Sequence, residues 1–321
     1  MQPKRRGPKP RISDADLLVA IRADLAVSSF TGEGHRKVWA RLRILREIRV
    51  SRARVLRLMR ENALLSPYRQ AQGEPIAHES SIQTERPNEM WGTDGIRIET
   101  VDDGWIWVFS AVDHFDAYCV GMHTVKIGNR FAALQPIAQG LQAEFGTTGA
   151  AAGRGLALRM DHGTQYTADD FLNQVKFWGI APSFAFVAEP QTNGVAERFN
   201  RTLKEQAIYG RVFKNIEEVR AAVTEFKDRY NRHWRLEKLG FMSPLEARQA
   251  YAMRRAARVP KPCPDNASRY SGRLVITRLA RTVRRKVGET AGHAAQLHPC
   301  AARGAEPLKK SRERQRARCR C

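Results

Sequence analysis

Between Trp91 and Val125 the chain carries three apolar runs, Trp91–Thr100, Trp105–Val112 and Tyr118–Val125, separated only by turn sequences at Asp102-Asp103-Gly104 and His114–Asp116. Runs of this length and spacing predict three successive strands. Phe131–Phe145 then repeats its apolar residues at helical spacing, and Leu156–Met160 and Ile180–Val187 are short apolar strands bracketing a helix from Thr167 to Trp178. A further helix opens after the fifth strand. The order βββαβαβα predicts an α/β core, a mixed five-stranded sheet flanked by helices.

The flanks differ in character. The whole chain has 321 residues and a net charge of +22, but residues 73–253 hold 19 Lys+Arg against 23 Asp+Glu. Residues 1–72 hold 17 against 6, and residues 254–321 hold 19 against 4. A basic excess of this kind calls for a polyanionic partner, nucleic acid first. Within the first part, Ser13-x-x-Asp16 resembles a capping box ahead of Leu17, Leu18, Ile21 and Leu25. His35–Arg46 fits a second helix, and Ser51 caps a third that carries Val55, Leu58, Met59 and Leu64. Two short helices around a tight turn predict an all-α helix-turn-helix region, with Arg36, Arg43, Arg52, Arg54 and Arg57 as candidate DNA contacts. The bland alternative is a charged three-helix bundle with solvated arginines.

These readings divide the chain into a helix-turn-helix region (1–65), a linker (66–90), a catalytic core with carboxy-terminal helices (91–253) and a basic, disordered tail (254–321). The tail reads either as a DNA-binding arm or as a GC-rich frame translated past the true end, with the balance toward the second. No apolar run is long enough to span a membrane, and the basic start lacks the apolar stretch of a secretory signal. Five cysteines without a C-x-x-C pair argue against a disulfide framework, so a cytoplasmic protein is expected.

Two aspartates break the core pattern. Asp94 lies inside the first strand and Asp161 ends the fourth, where a charge is costly without a partner or metal. Either alone fits a satisfied buried Asp; a third acid, Glu197, on the helix after the fifth strand changes the balance. Asn193, Glu197, Arg201 and Lys204 stand at i, i+4, i+8 and i+11, one polar face, opposite Ala196, Phe199 and Leu203. Three carboxylates meeting at the sheet's edge suit two Mg²⁺ or Mn²⁺ ions and in-line phosphoryl displacement. Lys204, about two turns beyond Glu197, suits a phosphate contact. Asp113 and Asp116 flank a turn near Asp94, and Asp113 is a secondary candidate for tuning the site. His162 reads as a neighbour rather than a ligand, and Gly149–Gly155 as a loop.

Sixty-six residues separate Asp94 from Asp161, 35 separate Asp161 from Glu197, and Lys204 follows Glu197 by seven. This frame resembles that of retroviral-integrase-like transposases. "LRMDHGTQYTADDF", "FVAEPQTNGVAERFNRTLKEQ" and "GFMSPLEAR" resemble more closely the IS-three family of bacterial insertion sequences, and "GHRKVWARLRILREIRVSRARVLRLMREN" resembles its helix-turn-helix segment. The resemblance covers about residues 30–250 and implies an RNase H-like fold with Asp94, Asp161 and Glu197 as a metal-binding triad and Lys204 on the element's end. It further implies DNA as partner (terminal inverted repeats and target), a homo-oligomer, a bacterial nucleoid-associated location, and an upstream-frame protein supplying a coiled coil this chain lacks. Met160 and His162 depart from residues common beside the second Asp, and Tyr230–Arg235 only partly matches the family's pattern there.

The expected activity is cleavage at element ends followed by strand transfer into target DNA. The alternative is a catalytically inactive copy acting only as a DNA-binding protein. A tyrosine recombinase is set aside, since none of the eight histidines has Arg three residues on. A simple RNase H-type nuclease shares the metal chemistry but not the amino-terminal helices.

Overall fold

The computed structural model describes residues 11–66, 83–185 and 193–258. Most of the expected linker, and the tail from 259 on, lie outside them. The amino-terminal part is three helices, α1 (Asp14–Val27), α2 (His35–Leu45) and α3 (Arg52–Glu61). Ser13 caps α1, its Oγ accepting from Asp16 N at 3.1 Å and donating to the Asp16 carboxylate at 2.6 Å. Ser51 caps α3 through Arg54 N at 3.2 Å. Leu17, Ile21, Val38, Leu42, Val55, Leu58 and Met59 close their common core. Beside that core Arg41 is buried on Asp24 and Glu33.

The strands are β1 (Met90–Thr100), β2 (Gly104–Asp113), β3 (Cys119–Val125), β4 (Ala157–Met160) and β5 (Ala181–Phe184), in the order β3-β2-β1-β4-β5. β1 and β2 pair antiparallel from Trp91 opposite Asp113 to Thr100 opposite Gly104, and β2 pairs antiparallel with β3 across a bulge at Ala111/Val112. β4 runs parallel to β1, and β5 parallel to β4. Parallel neighbours need crossovers. They are supplied by α4 (Arg130–Phe145) and by α5 (Thr164–Thr167) with α6 (Asp169–Phe177). The helix expected over 167–178 is α6, preceded by the one-turn α5, from which the extended Ala168 (φ −66°, ψ 137°) separates it.

Strand periodicity assigns the two faces. Trp91, Phe109, Ala111 and Val120 pack with α4 and α6, whereas Ile96, Ile98, Ile106, Val108 and Val112 pack beneath α7 (Gly194–Leu203) and α8 (Ile216–His233). Gly121 lets α4 approach β3, since a Cβ there would collide with the Pro136 carbonyl oxygen. Asn215 caps α8 through Glu217 N and Glu218 N, and Phe226 and Tyr230 pack as core. A 3₁₀ turn (Glu237–Leu239) leads to α9 (Pro244–Arg258), which passes the boundary expected at 253.

This is the RNase H-like mixed sheet flanked by helices, with an all-α region ahead of it. The amino-terminal region packs on the sheet-bearing part through Phe30, which enters the α7/α8-side core and meets Trp234 edge-on at 4.8 Å. Thr31 and Gln206 exchange hydrogen bonds beside it. Among the described residues no helix is long and apolar enough to cross a membrane.

Candidate active site

Asp94 lies midway along β1, opposite Ser110, on the face that meets α7. Two asparagines fasten α7 to that strand. Asn200 donates to Asp94 Oδ2 at 2.9 Å and accepts from Ser110 Oγ at 3.1 Å; Asn193 donates to the Thr93 carbonyl oxygen at 3.2 Å. Glu197 stands between them, four residues after one and three before the other, so all three share one side of the helix. The polar face expected from the sequence is therefore split. Asn193 is buried against β1, away from solvent, while Arg201 is exposed and paired with Glu205 at 2.9 Å. Lys204 ends α7 and begins a π-helical turn (Lys204–Ile208).

Asp161 is the first residue beyond β4. It is exposed, and its Oδ1 accepts from Gly163 N at 2.9 Å. The His162 Nε2 is 2.8 Å from the Ala185 carbonyl oxygen and its ring stacks on Phe184.

The electrostatics tie the acids together. Burial pushes the Asp94 carboxyl above its ordinary range; hydrogen bonds from Asn200 and Gly95 oppose this, the charge of Asp161 adds to it, and Lys204 opposes it. Burial, then the charges of Asp94 and Asp161, push Glu197 up as well. Fully buried Tyr166 lies in the same field: burial first, then Asp94 and Asp161, hold its phenol protonated well above the usual tyrosine range. Yet among the described residues no three His, Cys, Asp or Glu side chains come close enough to hold one ion. The three acids share a neighbourhood but are not drawn into ligand geometry, with Asp161 turned back on its own loop. Their chemistry still fits a hard divalent cation: hard carboxylate oxygens, and a largely buried Asp94 hydrogen-bonded only to neutral groups.

Asp113 and Asp116 belong elsewhere. Both are fully buried and bound to Arg248 of α9, at 2.7 and 2.8 Å, and Arg248 also pairs with Glu144. Asp113 therefore anchors the carboxy-terminal helix and does not tune the site.

The five arginines of the amino-terminal region separate into groups. Arg54 and Arg57 bind Asp14, and Arg54 also the Ile12 carbonyl, which ties α3 to the start of α1. Arg36 and Arg52 are about half exposed and face Glu237, while Arg43 lies over the Trp39 ring at 5.6 Å.

Sequence reasoning missed Asn200, whose signal was its spacing from Asn193 and Glu197, and Arg248, whose partners are more than a hundred residues away.

Comparison with known proteins agrees with this architecture. An HTH-like domain family matches residues 15–72, and two Integrase core domain families match residues 84–190 and 178–244. The chain is similar to the transposase for insertion sequence element IS629 of Shigella sonnei, 29% identical over 229 residues that span 68% of this chain and 74% of that protein. It is also similar to transposase InsD of the IS2 elements of Escherichia coli, 26% identical over 248 residues, 75% of this chain and 81% of the relative. Among solved structures, the catalytic core domain of BIV integrase aligns at 21% identity with a TM-score of 0.39, over 53% of this chain and 99% of that one. With an HTH-like domain match ahead of two integrase core matches, the chain is similar to insertion-sequence transposases over most of its length.

Proposed function

We propose that this transposase is a two-metal polynucleotidyl transferase in which Asp94, Asp161 and Glu197 hold two Mg²⁺ or Mn²⁺ ions. When bound, such ions supply the positive charge that activates an attacking oxygen and stabilises the leaving one. The chain's own groups do the rest. Asn200 fixes the Asp94 carboxylate, and Asn193 and Asn200 together hold α7 so that Glu197 faces β1. Lys204, whose charge is felt at Asp94, contacts a phosphate of the element's end, with Arg201 beside it on α7. Arg36, Arg43 and Arg52 carry the amino-terminal contacts to duplex DNA, whereas Arg54 and Arg57 hold the bundle together. The substrates are the terminal repeats and a target duplex, joined through the freed 3′-OH within a homo-oligomer.

The observation that supports this reading is one of placement: Asp94 lies midway along β1, Asp161 just beyond the neighbouring β4, and Glu197 on the helix that Asn200 fastens to Asp94, near enough for the charges of Asp94 and Asp161 to act on it. The test is strand cleavage and joining by the full chain on a duplex bearing an element end, with Mg²⁺. Asp94→Asn, Asp161→Asn and Glu197→Gln are each expected to abolish both steps and leave duplex binding intact. Full activity in Asp161→Asn overturns the assignment.

A further inference from the structure

Three arginines of the amino-terminal bundle find their acids within it: Arg41 on Asp24 and Glu33, Arg54 and Arg57 on Asp14. Arg36 and Arg52 differ. They come from the first turns of α2 and α3, and both reach one carboxylate supplied by the other part of the chain. Arg36 Nη1 is 2.7 Å from Glu237 Oε2, and Arg52 Nη1 is 3.3 Å from Glu237 Oε1. One guanidinium on each oxygen is also how arginines take a phosphate, whose oxygens present the same acceptors with more charge.

The surroundings favour an anion beyond what Glu237 provides. His35 lies in the same field, its imidazole held down by burial and then by Arg36, Arg52 and Arg60, against the single opposing charge of Glu237. All three paired side chains are open to solvent, at 60%, 52% and 47% exposure. Ion pairs this exposed contribute little and are screened by salt, so a polyanion can displace the carboxylate. What holds the bundle in place here is instead apolar: Phe30 against Trp234, and Trp39 edge-on to Phe241 at 5.8 Å.

We infer that Arg36 and Arg52 form a seat for one phosphate of duplex DNA, and that Glu237 is the chain's own stand-in for that phosphate. Filling the seat with DNA and closing the Glu237 contact are then mutually exclusive, and the carboxylate acts as a built-in competitor for the bundle's DNA face. The inference rests on the proposed DNA-binding role of the amino-terminal region and deepens it by naming the contact and its competitor.

Equilibrium binding of the full chain to a fluorescent duplex bearing an element end, across a salt series, tests this. Glu237→Gln removes the competitor and is expected to tighten binding about threefold to tenfold. Glu225→Gln changes net charge equally at another exposed ion pair and is expected to shift binding less than about twofold. The double variant Arg36→Gln/Arg52→Gln is expected to weaken binding and to flatten the salt dependence by about 0.9, one phosphate's worth. In that background Glu237→Gln is expected to have no further effect. A gain from Glu237→Gln no larger than that from Glu225→Gln, or one that persists without both arginines, overturns the seat and its competitor alone. Failure of every form to bind any duplex overturns the DNA-binding reading itself.

Discussion

The molecule contains two trios of acids on neighbouring parts of one sheet, and they are built in opposite ways. Asp113, Asp116 and Glu144 converge on Arg248, which gives each of them a direct partner. Burial works against the Arg248 guanidinium, but the surrounding carboxylates more than offset it and raise its hold on the proton. Among the described residues Asp94, Asp161 and Glu197 have no such guanidinium; their nearest help is three amide hydrogen bonds, two to Asp94 and one to Asp161, and the more distant Lys204. The first trio is a closed joint between α9, α4 and the end of β2. The second leaves its negative charge unmatched, the arrangement the proposed cations would complete. Residue type does not separate them; the presence of a matched cation does.

The sharpest way to break the comparison is to make the closed trio resemble the open one. Arg248→Ala leaves two fully buried aspartates unpaired and is expected to cost about 3–5 kcal/mol of stability, read by chemical denaturation. Burial and Asp116 already push Asp113 above its ordinary range, and without Arg248 that rise grows. A carboxyl raised in the folded state stabilises below its unfolded pKa and loses that contribution as pH rises. The defect is therefore expected to shrink on acidification and widen toward neutral pH. A pH-independent loss points to lost packing instead.

The converse is to close the open trio. Excess Mg²⁺ at about a hundredfold its Kd is expected to add about 2.7 kcal/mol to the wild-type fold. For a domain of roughly 150–250 residues that is a rise in Tm of about 5–10 °C. The increment is expected to vanish in Asp94→Asn and Asp161→Asn but to persist in Asp113→Asn, and a rise equal in all of them contradicts the assignment. Asn200→Ala is a smaller perturbation. It leaves Ser110 Oγ and one Asp94 oxygen without their partner, at about 1–3 kcal/mol. With that hydrogen bond gone Asp94 rises further, so the acid limb of the cleavage pH profile is expected to move to higher pH. Loss of stability without that movement assigns Asn200 to packing alone.

How much of this was legible beforehand depended on how far each partner lay along the chain. The limits of β1, β2 and β3 follow from alternating apolar residues to within one residue, because different helical layers bury the two faces of the sheet. Ser13, Ser51 and Asn215 announce their helices because a cap bonds only two or three residues on. Asn193 and Asn200 were not legible as anchors. Polar side chains at helical spacing read as a wet face, and nothing local says that Thr93 and Asp94, a hundred residues upstream, will be there to receive them. Asp113 was ambiguous for the same reason: its cation is 135 residues away. Asp94 and Asp161 stood out because core-like sequence surrounds them, but only Asp94 is largely buried; Asp161 is exposed just beyond its strand, a tertiary detail the sequence does not carry.

The smallest expected effect separates the two trios most cleanly. Glu197 is exposed, has no protein hydrogen-bond partner for its carboxylate among the described residues, and is raised by partial desolvation and by Asp94 and Asp161. Because its folded pKa is raised, its ionised form costs stability above that pKa, while below the unfolded value the cost disappears. In metal-free protein Glu197→Gln is therefore expected to be slightly more stable than wild type at pH 7–8, by no more than about 0.5 kcal/mol given its exposure. The two are expected to converge near pH 4. Adding Mg²⁺ is expected to invert the order, since only the carboxylate gains from the ion. Glu144→Gln, the matching neutralisation in the closed trio, removes a partner from Arg248 and is expected to destabilise the fold with or without Mg²⁺. If both substitutions respond to pH and Mg²⁺ in the same way, the two trios are of one kind and the distinction between joint and site fails.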